Sequence, residues 1–265
     1  MDDVAAAWVL LYTAAHIMDS VEDGDPPEEW WADFGESGAI NVAIGLYAVS
    51  SIALDNLRRT GPPEAAASIT EGFCQAMLQM GGGQHGDLTR DEPSPSECLK
   101  IAESKSGAFF ALACWSGARL ATPDPQIVSH YESYGRHLGI LIQINDDIDG
   151  VWGTDLARSD LRRPTRWTLP TAYAMAVGSP EQRSALHSCM SAARRDPQAV
   201  IGARNLIEDT GAALFLATIA TKHTALATDA LEKAHSASPA REALKALLDD
   251  HLPRLKPGNR AYAQT

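Results

Sequence analysis

Apolar residues in this chain do not fall into the β-branched, alternating runs bounded by turns that build a sheet. They fall in long segments separated by short polar, glycine or proline breaks, and the segment starts carry helix-capping chemistry. Ser94-Pro95-Ser96-Glu97 and Ser179-Pro180-Glu181-Gln182 are capping boxes with proline at the first helical position. Asp124-Pro125, Asp196-Pro197 and Ser238-Pro239 repeat the cap-then-proline device. Cutting at these signals predicts nine or ten helices, over roughly 3–22, 38–59, 63–80, 95–121, 125–149, 170–178, 180–192, 197–208, 210–235 and 239–252. The expected breaks are Gly24–Gly35, Gly81-Gly82-Gly83, Thr122-Pro123 and Gly150–Thr168. With no repeat and no low-complexity linker, the pattern predicts one all-α bundle over residues 1–265.

Composition sharpens that picture. Alanine supplies 43 of 265 residues, which favours helices and lets them approach closely. The net charge of −12 argues against nucleic-acid or anionic-membrane partners, which need clustered positive charge. No apolar run is expected to reach the ~20 residues of a membrane span, and acids occupy the start where a secretory signal carries base. Cys74, Cys98, Cys114 and Cys189 lie far apart without a CxxC pair, as expected for reduced thiols in a cytoplasm.

Two acidic clusters carry the candidate chemistry. Asp19 and Asp23 lie one turn apart on one helical face, at a spacing whose mutual repulsion a purely structural helix gains nothing from. The segment Leu138–Ile144 is apolar and then turns abruptly acidic at Asp146, Asp147 and Asp149, with Gln143 one turn earlier. The apolar approach predicts buried carboxylates that need metal or base to neutralise them. Two such helices facing across a core predict an oxygen-only site for hard divalent cations, with Mg²⁺ holding a diphosphate as the expected case. Positive charge for the phosphates is sought in Lys105, the single charged residue from Ser104 to Gly117, and in Arg158, Arg162, Arg163 and Arg166. The glycines before Gln84 lack the order of a phosphate-binding P-loop.

In order along the chain, Asp19-Ser20-Val21-Glu22-Asp23, Gly83-Gln84-His85-Gly86-Asp87-Leu88, Lys105-Ser106, Gln143–Asp149, Ser159-Asp160-Leu161 and Arg166-Trp167-Thr168-Leu169-Pro170 resemble the motifs of the trans-isoprenyl diphosphate synthases. Ile17–Asp25, Trp30 or Trp31, Leu46-Tyr47 and Gly83-Gln84-His85 resemble the ComQ-type pheromone prenyltransferases within that family. The resemblance implies a class I isoprenoid synthase fold, commonly a homodimer, in which three Mg²⁺ and an allylic prenyl diphosphate are bound and the diphosphate is ionised. It implies Asp19, Asp23, Asp146 and Asp147 as metal ligands, Lys105, Gln143 and Arg166 as catalytic groups, and Gln84 beside them as a substrate contact. Ser20 stands where the family has its second aspartate, Gly150 stands at the fifth position of the second motif, and Pro26–Trp31 replaces a basic element. The basic N-terminal element that binds isopentenyl diphosphate is not visible, so the family's N-terminal helices are expected to be missing.

On the first helix, Ala15 and Ala14 leave room for a tail, with Tyr12 or Trp8 as a floor roughly two turns, or about 11 Å, from Asp19. That depth predicts a donor in the C15 range. The expected activity is prenyl transfer to an acceptor of unknown identity, a peptide or small molecule, with a terpene cyclase or an isopentenyl-diphosphate-using elongase as alternatives. His16 and His85 read as packed or solvated histidines rather than bases, while Trp30 and Trp31 suit the acceptor entrance and packing of the loop onto the bundle equally well.

Overall fold

A computed structural model describes residues 1–24, 33–163, 167–234 and 238–252. Among these, every regular element is helical. The helices are α1 (Asp2–Glu22), α2 (Gly35–Thr60), α3 (Pro63–Thr89), α4 (Pro95–Ala102), α5 (Ala108–Ala121), α6 (Pro125–Trp152), α7 (Leu169–Val177), α8 (Pro180–Ala193), α9 (Pro197–Asp209), α10 (Ala212–Ala234) and α11 (Pro239–Asp250). A π-helical turn, Glu103–Gly107, joins α4 to α5 without a break, so the expected helix over 95–121 exists with one widened turn inside it.

The caps behave as their chemistry predicts. Ser94 and Ser179 form complete capping boxes with Glu97 and Gln182, and Asp124, Asp196 and Ser238 each accept a backbone N–H of the first turn. The triple glycine does not break its helix: α3 runs on to Thr89. At Gly83 the absence of a side chain is a packing requirement, because a β-carbon there would lie 2.9 Å from Ser104 Cβ and 3.0 Å from Lys105 Cγ.

The long helix α6 is the axis of the bundle. On one side Tyr134, Leu138, Leu141 and Ile144 pack with Leu216, Ala220, Ala227 and Leu231 of α10. On the other, α6 touches the π-helical turn and α5 backbone to backbone: a methyl group on Gly139 would run into the Ser106 carbonyl of the turn, and one on Gly135 into that of Phe110 in α5. A second core joins α1, α2, α3 and α5 through Leu11, Leu54, Ile69, Phe73 and Phe109. At the α6–α10 seam His137 and His223 lie side by side; burial, then His137 and Lys222, press the His223 imidazole down to about 4.

Both α1 and α2 are long and apolar enough, by length and composition, to cross a membrane, which corrects the expectation that no segment reaches that size. A minority of that apolarity is buried between the two helices, where Ala14 and Ile17 meet Ala39 and Ala43 with no exposure. Ala14 therefore belongs to this seam and not to the space above Asp19.

Gly139→Ala should lower unfolding stability by about 1–3 kcal/mol, the usual cost of overpacking, measured by urea denaturation. An unchanged midpoint would mean the backbone contact at Gly139 is looser than described.

Candidate active site

The π-helical turn aims Lys105 across the bundle at two helices. Its Nζ donates to Asp19 Oδ1 of α1 at 3.0 Å and to Asp87 Oδ2 of α3 at 2.9 Å. The lysine side chain is only 16% exposed, against 38% for Asp19 and 25% for Asp87. Burial alone would lower the ammonium's pKa, but Asp19 and then Asp87 outweigh it and hold the pKa above its ordinary value. One cation thus sits between two carboxylates from different helices, and like charges that would repel are held together.

Next to it, Ser106 Oγ donates to Gln143 Oε1 at 2.9 Å, and Gln143 Nε2 donates to Asp147 Oδ1 at 3.1 Å. A carboxylate only accepts, so Asp147 fixes the amide with its nitrogen toward the acid and its carbonyl toward Ser106. The other Asp147 oxygen accepts the Leu169 N–H at 2.8 Å, capping the first turn of α7. This residue, expected as a metal ligand, is engaged in orienting Gln143 and anchoring α7.

These groups open onto a cavity of about 610 Å³, in the size range of small-molecule sites. Asp19, Glu22, Lys105, Ser106, Gln143 and Asp146 give it a polar end. Its apolar body includes Leu11, Tyr12, Ala15, Met77, Met80, Phe109 and Phe110. Trp8 stacks on Phe109 with ring centroids 4.4 Å apart and meets Phe110 edge-on at 5.8 Å, closing the aromatic end beyond Tyr12. Ala15 and Tyr12 therefore stand where the helical turns placed them. Tyr47 also lines the cavity, its phenol pKa raised by burial and then by Glu22. Gln84 lines it as well, and both of its amide atoms are buried with no hydrogen-bond partner among the described residues.

Of the four expected metal ligands, Asp19 and Asp146 line the cavity, while Asp23 caps the end of α1 and Asp147 lies behind Gln143. Glu22, which the motifs did not single out, also lines the cavity. Asp146 is exposed, correcting the expectation of a buried carboxylate. Among the described residues no three acidic, histidine or cysteine side chains converge closely enough to hold a free metal ion. Arg166, Trp30 and Trp31 lie outside the described residues. Arg158 and Arg163 pair with Asp155 and Asp160, and Arg162 donates to the Arg194 carbonyl, so this trio does not gather at the cavity. Both departures in the acidic motifs have packing causes. Ser20 is 6% exposed, where a carboxylate would be desolvated, and the space beside Gly150 is filled by the Asp160 carboxylate.

A family model for polyprenyl synthetases matches residues 1–207. The chain belongs to the polyprenyl synthetase family. The (2E,6E)-farnesyl diphosphate synthase of Mycobacterium tuberculosis is 31% identical over 156 residues, which is 56% of this chain and 42% of that protein. Tryptophan prenyltransferase ComQ of Bacillus subtilis subsp. natto is 32% identical over 149 residues, 56% of this chain and 45% of ComQ. The chain thus matches less than half the length of these two relatives. The crystal structure of a polyprenyl synthetase from Streptomyces coelicolor A3(2) superposes with a TM-score of 0.82 at 28% identity, covering 95% of this chain and 78% of that one. The fold is that of the class I isoprenoid synthases, as the motifs implied.

Asp87 was not marked by the sequence as a functional residue, although it lies within the Gly83–Leu88 motif, one residue before its end. Asp87→Asn should destabilise the metal-free protein by about 1–2 kcal/mol, between an exposed and a fully buried ion pair, measured by thermal unfolding in chelator. An unchanged melting temperature would show that Asp19 alone suffices for Lys105.

Proposed function

We propose that this protein is a Mg²⁺-dependent prenyltransferase that ionises an allylic diphosphate in the C15 range and passes the prenyl group to an acceptor without a diphosphate of its own. The observation that carries this reading is the Asp19–Lys105–Asp87 bridge facing Asp146 at the mouth of an apolar, aromatic-ended cavity. The oxygen-only donor set suits a hard cation. Asp19 and Asp146 line the cavity without converging on a free ion, which fits metal held jointly by carboxylates and diphosphate. When bound, Mg²⁺, in three ions by the family resemblance, would neutralise charge on the leaving diphosphate.

The chain's own groups account for the rest. Lys105 donates hydrogen bonds to the diphosphate as the C–O bond breaks, an interaction that strengthens as charge develops. Gln143, fixed by Ser106 and Asp147, sets a carbonyl dipole beside the cation. Phe109, Phe110 and Tyr12 line the space with aromatic rings and exclude water from it. The buried, unpartnered amide of Gln84 is a ready contact for bound ligand. Lys105 is the one lysine or arginine among the described residues lining the cavity, which supports an acceptor lacking a second diphosphate. Exposed Ile44, Val49 and Ile52 on α2 and Leu78 on α3 support the expected homodimer.

A cyclase is the second reading, favoured by the aromatic end of the cavity, which suits a folded carbocation. Incubation with Mg²⁺ and C10, C15 or C20 allylic diphosphates, with and without isopentenyl diphosphate, followed by mass spectrometry, tests both. The expected result is ionisation of the C15 donor without isopentenyl diphosphate, abolished by chelator and reduced about 10²–10³-fold by Asp19→Asn or Lys105→Met. A cyclic hydrocarbon as the main product would favour the cyclase, and a longer diphosphate formed only with isopentenyl diphosphate would refute the acceptor argument. Tyr12→Ala should shift donor preference toward C20; an unchanged preference would move the floor elsewhere.

A further inference from the structure

We propose that His137 of α6 and His223 of α10 form a binding site for a divalent transition-metal ion of the Zn²⁺, Ni²⁺ or Cu²⁺ class, distinct from the carboxylate-lined cavity. Their Nδ1 atoms lie 3.1 Å apart and their ring planes cross at 63°. Both side chains are half-buried, so the pair is reachable from solvent while its geometry is held by the packed seam between two long helices.

The separation is the decisive quantity. Metal–imidazole bonds are about 2.0–2.1 Å. Two such bonds span about 3.3 Å at the tetrahedral angle and about 2.9 Å at a right angle. The observed 3.1 Å lies between the two, so an ion can bridge the nitrogens with shifts of a few tenths of an ångström. Without metal, the contact is a single N–H···N bond in which one Nδ1 carries the proton. Metal binding asks only that this proton move to Nε2 of the same ring, so both lone pairs become available without changing the net charge of either imidazole.

The surroundings decide which ions enter. Two neutral nitrogens select borderline ions over Mg²⁺, which prefers oxygen. Arg136 and Lys222 oppose added positive charge at the pair, and Glu103, whose carboxylate acts on His137, favours it. Arg136 is itself partly neutralised by Glu132 at 2.8 Å and Glu103 at 3.8 Å. Water would complete the shell. His137 lies six residues before Gln143, about 9 Å along α6, so an ion here clips α10 to the helix that carries Gln143 and Asp146 without entering the cavity.

The test uses the full chain in excess Mg²⁺, so that the cavity's carboxylates do not compete. Cu²⁺ should give an electron paramagnetic resonance spectrum with coupling to two imidazole nitrogens. His137→Asn and His223→Asn, which can keep a side-chain hydrogen bond, should each weaken Zn²⁺ binding by about tenfold or more in calorimetry. Zn²⁺ binding undiminished in both variants, or a copper spectrum with fewer than two nitrogens, would overturn the proposal. Should a variant fail to fold, the wild-type protein decides: Zn²⁺ should protect both histidines from diethyl pyrocarbonate, read by peptide mass spectrometry, and absence of protection is a refutation.

Discussion

The molecule is organised around one half-buried ion pair with a third member. Lys105 draws together Asp19 at the end of α1 and Asp87 near the end of α3, and its own backbone sits in the π-helical turn between α4 and α5. Three separate helices are thereby tied at the mouth of one cavity. Removing the lysine would leave two carboxylates facing each other in a partly desolvated place, so the position of α3 relative to α1 depends on that ammonium. Gly83 belongs to the same constraint, because it lets α3 approach close enough for Asp87 to reach.

The second ordering element is the Ser106–Gln143–Asp147–Leu169 chain of hydrogen bonds. It begins one residue after Lys105 and ends at the first turn of α7. Adjacent residues of the π-helical turn therefore serve two purposes: Lys105 gathers negative charge, and Ser106 sets the amide facing it. A widened turn suits this division, since it offsets neighbouring side chains from the regular helical register.

Much of this was legible in the sequence, and the parts that were not fail for identifiable reasons. Capping boxes at Ser94 and Ser179 are local chemistry, and the structure shows them as read. Asp19, Lys105, Gln143 and Asp146 were marked by charge breaking into apolar helix, and they do share a cavity. Gly81-Gly82-Gly83 misled because glycine is a poor helix former in isolation, while here tertiary contact to Lys105 overrides propensity. Asp147 and Asp23 could not be told from their neighbours by spacing alone; which carboxylate faces the cavity depends on partners such as the Leu169 N–H, far away in sequence. Phe109 and Phe110 were passed over because an aromatic pair in an apolar helix is usually core, and Phe109 is indeed 5% exposed while still touching the cavity.

The backbone-to-backbone seam at Gly135 and Gly139 divides the cavity into two kinds of wall. On the α5–α6 side the backbones already touch at Gly135 and Gly139, so these two helices cannot draw closer to reshape the space. On the opposite side Met18, Met77 and Met80 line it, and thioether chains re-pack at little energetic cost. Adaptation to ligands of different length or branching is therefore easiest on the methionine-lined flank. Substitutions that retune selectivity should accumulate among residues of α1 and α3, while the α5–α6 flank serves as the fixed reference against which the reacting carbon is positioned.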